Sequence, residues 1–256
     1  MTEVVSELTR NHIHRLASDG KRVDGRAPDE FRPLKIEKSF VHSAEGSARV
    51  HLGNTDVLIG IKMDLGEPYA DTPNKGVLTT SAELIPMASP DFESGPPRES
   101  AIELARVVDR GIRETETVDL EKLCIEPGEK VWILFLDMHI LDFDGNLFDA
   151  CSFGALSALT DTTVPASRTN GEDFKLEVEH YPVSVTAVKI GRFIFLDPSL
   201  DEEMVADARL TVAIDENGDI RAMQKGLSGS FTFDEVEKVI ELATLRGNEI
   251  RETIKG

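Results

Sequence analysis

The chain is short of cysteine, of aromatic residues and of positive charge, and it has no long apolar run. Its two cysteines, Cys124 and Cys151, exclude a disulfide-stapled scaffold. They stand in no metal-ligand spacing and read as reduced structural thiols. No apolar stretch approaches the ~20 residues that cross a bilayer. Met1 to Arg15 is polar and has no signal-peptide core, so a cytoplasmic protein with no membrane partner is expected. Lys and Arg number 28 against 47 Asp and Glu, a formal net charge of −19. That balance argues against a free-standing nucleic-acid binder, which is normally basic. It leaves room for one whose positive charge is gathered on a single face or supplied by a partner. Also missing are G-x-x-x-x-G-K-[ST], H-E-x-x-H, G-x-S-x-G and C-x-x-C. Walker-type phosphate binding, zincin chemistry, an α/β-hydrolase elbow and a dithiol redox site are therefore excluded. No cofactor or metal is expected.

What is present is organised around residues 126–159. Pro127-Gly128 makes a turn, and the apolar run from Val131 to Ile140 reads as a largely buried strand. Asp142-Phe143-Asp144-Gly145-Asn146 breaks it. The following segment, Phe148 to Leu159, is small and apolar, which suits a helix packed closely on a sheet. A strand that turns sharply into a helix N-terminus is a common phosphate cradle, because the helix end offers free N–H groups and a positive dipole end. Here the turn has Asp142, Asp144 and Asp149 in and beside it and no Lys or Arg, so a phosphate is repelled.

The rest of the chain predicts an α+β protein of one domain, 1–256, with two core halves, 31–165 and 183–256, each built from strand hairpins followed by a helix. Val4 to Ser18 predicts an amphipathic helix with Val5, Leu8 and Leu16 on one side. Strands are expected over Ile36–Val41, Gly46–Leu52, Val57–Met63 and Val77–Ile85. Further hairpins are expected over Val183–Leu196 and Arg209–Gly226, with a final helix opened by the capping box Thr232-Phe-Asp-Glu235. The helix of the first half is opened by Ser100-Ala-Ile-Glu103 as a capping box, with Ile102, Ala105, Val108 and Ile112 as its buried stripe.

That helix carries the clustered positive charge. Arg106, Arg110 and Arg113 stand at i, i+4 and i+7 and project from one face, with Arg98 just ahead in the loop. On residue pattern alone this is either a solvated face paired with Glu103, Asp109 and Glu114, or a contact for an anion or an RNA backbone. His12 and His14 are two apart and cannot share a metal from one helix face. The 142–146 turn has the wrong spacing for a calcium loop and reads as an ordinary turn. Asp201-Glu202-Glu203 has the residue types for Mg²⁺ but reads as a solvated acidic turn.

Taken in order, Lys21-Arg-Val-Asp-Gly-Arg26, Arg32-Pro-Leu34, Gly46-Ser-Ala-x-Val50, Gly53-Asn-Thr55 and Val57 resemble the opening of the RNase PH family. The match continues through the Arg98–Arg113 helix, residues 130–160 and the Arg209–Ile214 strand. The resemblance implies a duplicated β-sheet and helix unit of the ribosomal protein S5 domain 2-like kind. It also implies assembly into a hexameric ring that degrades RNA from its 3′ end by phosphorolysis. Two departures stand out. Active members carry a Gly-[Ser/Thr]-Arg phosphate turn where this chain has Asp144-Gly-Asn-Leu-Phe-Asp149. They carry a catalytic Asp where this chain has Arg209, with Asp207 two residues earlier. The chain is thus most similar to the non-catalytic RNase PH-like subunits of the archaeal exosome. The resemblance then implies no enzymatic activity alone, a catalytic RNase PH-like paralogue in a ring of three heterodimers, RNA-binding cap proteins, and single-stranded RNA held by Arg98, Arg106, Arg110 and Arg113. The alternative is a phosphate-dependent 3′-to-5′ exoribonuclease that uses Asp207.

Overall fold

A computed structural model describes residues 7–255. It begins with α1 (Glu7–Ser18), then β1 (Leu34–Lys38), β2 (Gly46–Leu52), β3 (Thr55–Gly66) and β4 (Val77–Leu84). Next come α2 (Glu99–Arg113), the short β5 (Cys124–Glu126), β6 (Lys130–Asp142) and α3 (Leu147–Asp161). A small two-stranded sheet, β7 (Thr163–Val164) with β8 (Phe174–Lys175), leads to β9 (Val183–Ile190) and β10 (Phe193–Leu196). The chain closes with α4 (Leu200–Val205), β11 (Ala208–Ile214), β12 (Ile220–Gly226) and α5 (Phe233–Lys255). The first large sheet runs β1-β2-β3-β6-β4, and the second runs β10-β9-β11-β12.

The long apolar run is β6, and its alternation decides its role. Trp132, Leu134, Leu136, Met138 and Ile140 are buried on one face, while Ile133, Phe135, Asp137 and His139 are half-covered on the other. It pairs antiparallel with β3 and parallel with β4 and so forms the centre of the first sheet. α3 packs on β2 and β3 and also reaches β9, so it ties the two sheets together. Its small residues make that approach possible. A Cβ at Gly154 would lie 2.3 Å from Ile59 Cδ1 and 3.2 Å from a Val50 methyl. Eleven of its fifteen residues are buried, Cys151 among them, and both cysteines are free thiols. α2 packs on β4 and α3 and touches β12, and α5 packs on β9 and β11.

Several local expectations are corrected. In α1 the buried residues are Ile13 and Ala17, against Val188, Ile190, Phe195 and Val205, and Leu8 is 83% exposed. Val4 and Val5 lie outside the described residues. β1 ends at Lys38 rather than Val41, because Ser39 takes a left-handed φ of 54° and bonds the Asp161 carboxylate through its N–H and hydroxyl. The Ser100–Glu103 capping box does not form. α2 starts at Glu99 behind Arg98, with no side-chain cap, and Glu103 turns to Arg209 instead. The buried stripe of α2 is Ala101, Leu104, Val108, Gly111 and Ile112, which rotates Ile102 out to 48% exposure. The Thr232–Glu235 capping box does form, with both reciprocal hydrogen bonds present. No helix among the described residues is long and apolar enough to cross a membrane.

Candidate nucleic-acid interface

The turn into α3 meets the start of α4, where the Leu200 N–H donates to the Asp144 carbonyl at 3.2 Å. Gly145 has φ 88° and Asn146 φ 56°, so the chain enters the helix through two consecutive left-handed residues. Gly145 has no room for a side chain, since a Cβ there would lie 2.6 Å from the backbone of Ser199 and Leu200. The segment ahead of α4 therefore sits directly on the turn. Its acids bond the groups a ligand would need. The Asn146 N–H donates to Glu203 Oε1 at 2.9 Å. The Asn146 side chain donates to both Asp149 and Asp197, at 2.8 Å each. Asp149 also accepts from the Thr186 N–H and hydroxyl.

Below the turn is a fully buried Asp197, itself at φ 46°. Although burial opposes its charge, Arg32 holds its carboxyl below the usual carboxylate range, through Nη2 at 2.7 Å and Nε at 2.9 Å. Arg26 adds a further contact at 2.9 Å. Arg22 is buried beside this centre, bonded to both carboxylate oxygens of Glu202. The family-like opening Lys21–Arg26 and Arg32 thus clamps the 197–203 segment. Asp149 behaves oppositely. Burial pushes its pKa up to about 7 against the pull of Asn146 and Thr186, with Asp197 nearby adding to the rise. Desolvation also raises Glu203.

One expectation is revised here. Asp201-Glu202-Glu203 is not a solvated turn: Glu202 is 3% exposed and Glu203 is directed at Asn146, so of the three only Asp201 faces water. The described residues contain no cluster of His, Cys, Asp and Glu able to hold a metal ion. The 144–149 turn is an anion site in shape that the chain itself has filled with carboxylates. Local spacing does not bring these groups together, because Arg22 and Arg32 each lie more than 160 residues from Asp197 in the chain.

At the start of β11, Arg209 is clamped. Its Nη2 reaches Glu103 Oε1 at 2.7 Å and its guanidinium lies 4.2 Å from the Phe148 ring centre. Asp207 is exposed, and its carboxylate accepts the Gly191 N–H at 2.7 Å in the β9–β10 turn.

The four arginines named from the sequence fall into two kinds. Arg98 pairs with Glu93 in the loop before α2. Arg113 is bonded by Asp109 at 2.8 Å and reaches the Leu78 carbonyl, facing a cavity of about 500 Å³ at the end of the helix. Arg106 and Arg110 are exposed, and neither makes a side-chain hydrogen bond or ion pair among the described residues. They line a surface cavity of about 310 Å³ between α2 and Gln224 of β12.

These features coincide with a known family. Residues 30–165 match domain 1 of the 3′ exoribonuclease family and residues 180–245 match domain 2. The chain belongs to this RNase PH family. It is 54% identical over 250 residues, 98% of this chain and 96% of the other, to the exosome complex component Rrp42 of Thermoplasma volcanium. It is 52% identical over 255 residues, 99% and 98% of the two chains, to the Rrp42 of Methanocella arvoryzae. Among solved structures it is similar to a chain of the Archaeoglobus fulgidus exosome with RNA bound to the active site, with a TM-score of 0.94 and 48% identity over 96% of this chain and 98% of that one. A chain of an archaeal exosome core superposes with a TM-score of 0.91 at 44% identity over 98% and 97%.

Proposed function

We propose that this chain is a non-catalytic ring subunit of an archaeal exosome, acting in 3′-to-5′ RNA degradation by structuring a partner's phosphorolytic site and holding RNA beside it. The observation that carries the reading is the turn into α3. It has no cation of its own, and Glu203 already occupies the Asn146 N–H. Attack of phosphate on an RNA linkage needs a positioned phosphate and positive charge to balance the transition state. Arg209 supports the same reading from the other side. It stands where active relatives have an acid, and its charge is committed to Glu103 and Phe148.

In this reading the chain is one domain with core halves 31–165 and 183–256. It alternates with a catalytic RNase PH-like paralogue in a hexameric ring of three heterodimers, which also carries RNA-binding cap proteins, in the cytoplasm. Single-stranded RNA runs past α2. Arg106 and Arg110 give it sequence-independent contacts to phosphates. Arg98 and Arg113 contribute to the same positive edge from within their ion pairs. No observation favours independent catalysis by Asp207, whose carboxylate is bonded in a turn.

The test is phosphate-dependent trimming of a single-stranded RNA by the purified chain, alone and mixed with its paralogue. No trimming alone and trimming in the mixture is the expected result. Trimming by the chain alone, abolished in Asp207→Asn, overturns the reading.

A further inference from the structure

The cavity beside Arg106 and Arg110 is more than a place for two phosphate contacts. Its walls are Ile102, Arg106, Val107 and Arg110 of α2 and Gln224 of β12, with Glu99 and Glu103 at its α2 end. Gln224, like Arg106 and Arg110, has no side-chain partner among the described residues. Three polar groups without partners thus border one space, next to an isoleucine that the rotation of α2 leaves 48% exposed. Arg106 and Arg110 line that space with two carboxylates, Glu99 and the Glu103 that pairs with Arg209. A phosphate deep inside it would meet the Glu99 carboxylate. A neutral, planar, hydrogen-bonding ring meets no such penalty. It can lay one face on Ile102 and Val107 and turn an edge to the Gln224 amide, which both donates and accepts.

Resting on the RNA-holding reading above, we propose that this cavity is a nucleobase subsite. One base of the RNA strand enters between α2 and β12 and is read by Gln224, while the phosphates flanking it lie on Arg106 and Arg110. Arg106 also lines a second cavity of about 270 Å³ on the opposite flank of the helix, beside Thr80 and Ser81 of β4. It therefore stands on the ridge that the strand crosses, with the base on one side and the backbone at the crest.

The ring assembled from the full chain and its RNase PH-like paralogue provides the test. Its affinity is measured for a single-stranded oligoadenylate and for a ribose-phosphate strand of equal length that lacks every base. Gln224→Ala and Ile102→Ser each weaken oligoadenylate binding by about tenfold, the size of one lost base contact. They leave the base-free strand and the slope of affinity against salt unchanged. Arg106→Ala with Arg110→Ala weakens both strands. If the arginine pair weakens both strands but Gln224→Ala and Ile102→Ser leave oligoadenylate untouched, the base subsite is overturned and the RNA reading stands. If the arginine pair changes neither strand, the RNA reading fails and takes the subsite with it. Size measurement of each variant ring shows that assembly is intact.

Discussion

Asp197 and Asp149 show how one environment gives two carboxylates opposite behaviour. Both are fully buried and both accept from the Asn146 amide. Asp197 has Arg32 and Arg26 against it and stays ionised, whereas Asp149 faces only neutral donors and is pushed up to about 7. Replacing Asp197 by Ala leaves two guanidiniums facing an empty site. A loss of about 3–5 kcal/mol in denaturant unfolding is expected, since one member of a buried ionic group is removed. For Asp149 the sign follows from linkage. Its folded pKa lies above the unfolded aspartate value of about 3.9, so the folded state holds more protons between the two values. Its contribution to stability is therefore full below about pH 4 and is lost as pH rises to about 7. Asp149→Asn removes this dependence. Thermal unfolding of the variant should change less between pH 5 and pH 7 than that of the parent chain, and an equal slope in both would rule out a titrating Asp149.

At the scale of elements, glycine at close approaches decides how the sheets and helices meet. Gly46 begins β2 under the C-terminal end of α3. A Cβ there would lie 2.2 Å from Thr162 Oγ1, 2.6 Å from the Ala158 carbonyl oxygen and 2.8 Å from Thr162 Cα. Two of those atoms are backbone, so neither helix nor strand can move aside cheaply. Gly46→Ala should lower stability by about 1–3 kcal/mol or more, read as a fall in Tm. Gly60→Ala on the same sheet is the control, because a Cβ there meets nothing within 4 Å. The helix α2 makes a related point about patterns. Its apolar residues allow two neighbouring stripes, and packing on β4 and α3 selects the one through Ala101, Leu104 and Val108. That choice puts Ile102 outside beside Arg106, where a pattern reading places it inside.

For the whole molecule, the issue is how a chain of net charge −19 would hold the RNA strand proposed for it. The local field near Arg106 and Arg110 matters more than the total, because charges beyond about 8–10 Å are screened at physiological salt. Each phosphate contact should contribute about 0.7 to the slope of log affinity against log salt for a single strand. The assembled ring carrying Arg106→Ala and Arg110→Ala should therefore bind RNA more weakly, with a slope smaller by about 0.7 for each lost contact in each RNA path. An unchanged slope would mean that neither residue meets a phosphate.

Much of this protein is written in local pattern. The central strand and α3, the α5 capping box and the α+β plan all follow from periodicity and turn residues, which act over a few neighbours. The series from Lys21 to Val57 gave the family for a similar reason: an ordered set of short motifs is far more specific than any one of them. The four arginines were legible as charges on a helix and just ahead of it. Which of them are free was not, since that depends on where Asp109, Glu93 and Leu78 lie in space. The acids at 201–203 read as solvent-facing because their charged partner is far off in sequence, although Glu202 also closes a capping box with Ser199, a local signal that goes unread. Arg22 and the Asn146 N–H reach Glu202 and Glu203 only when segments distant in the chain pack. Sequence by itself determined most of the strands and helices and their order, though not α4, and a cradle-like turn without a cation. Tertiary structure alone decided that the cradle is closed by the chain's own carboxylates and that Gln224 faces the arginine pair. Both depend on contacts between residues far apart in the chain, and such contacts leave no mark on local spacing.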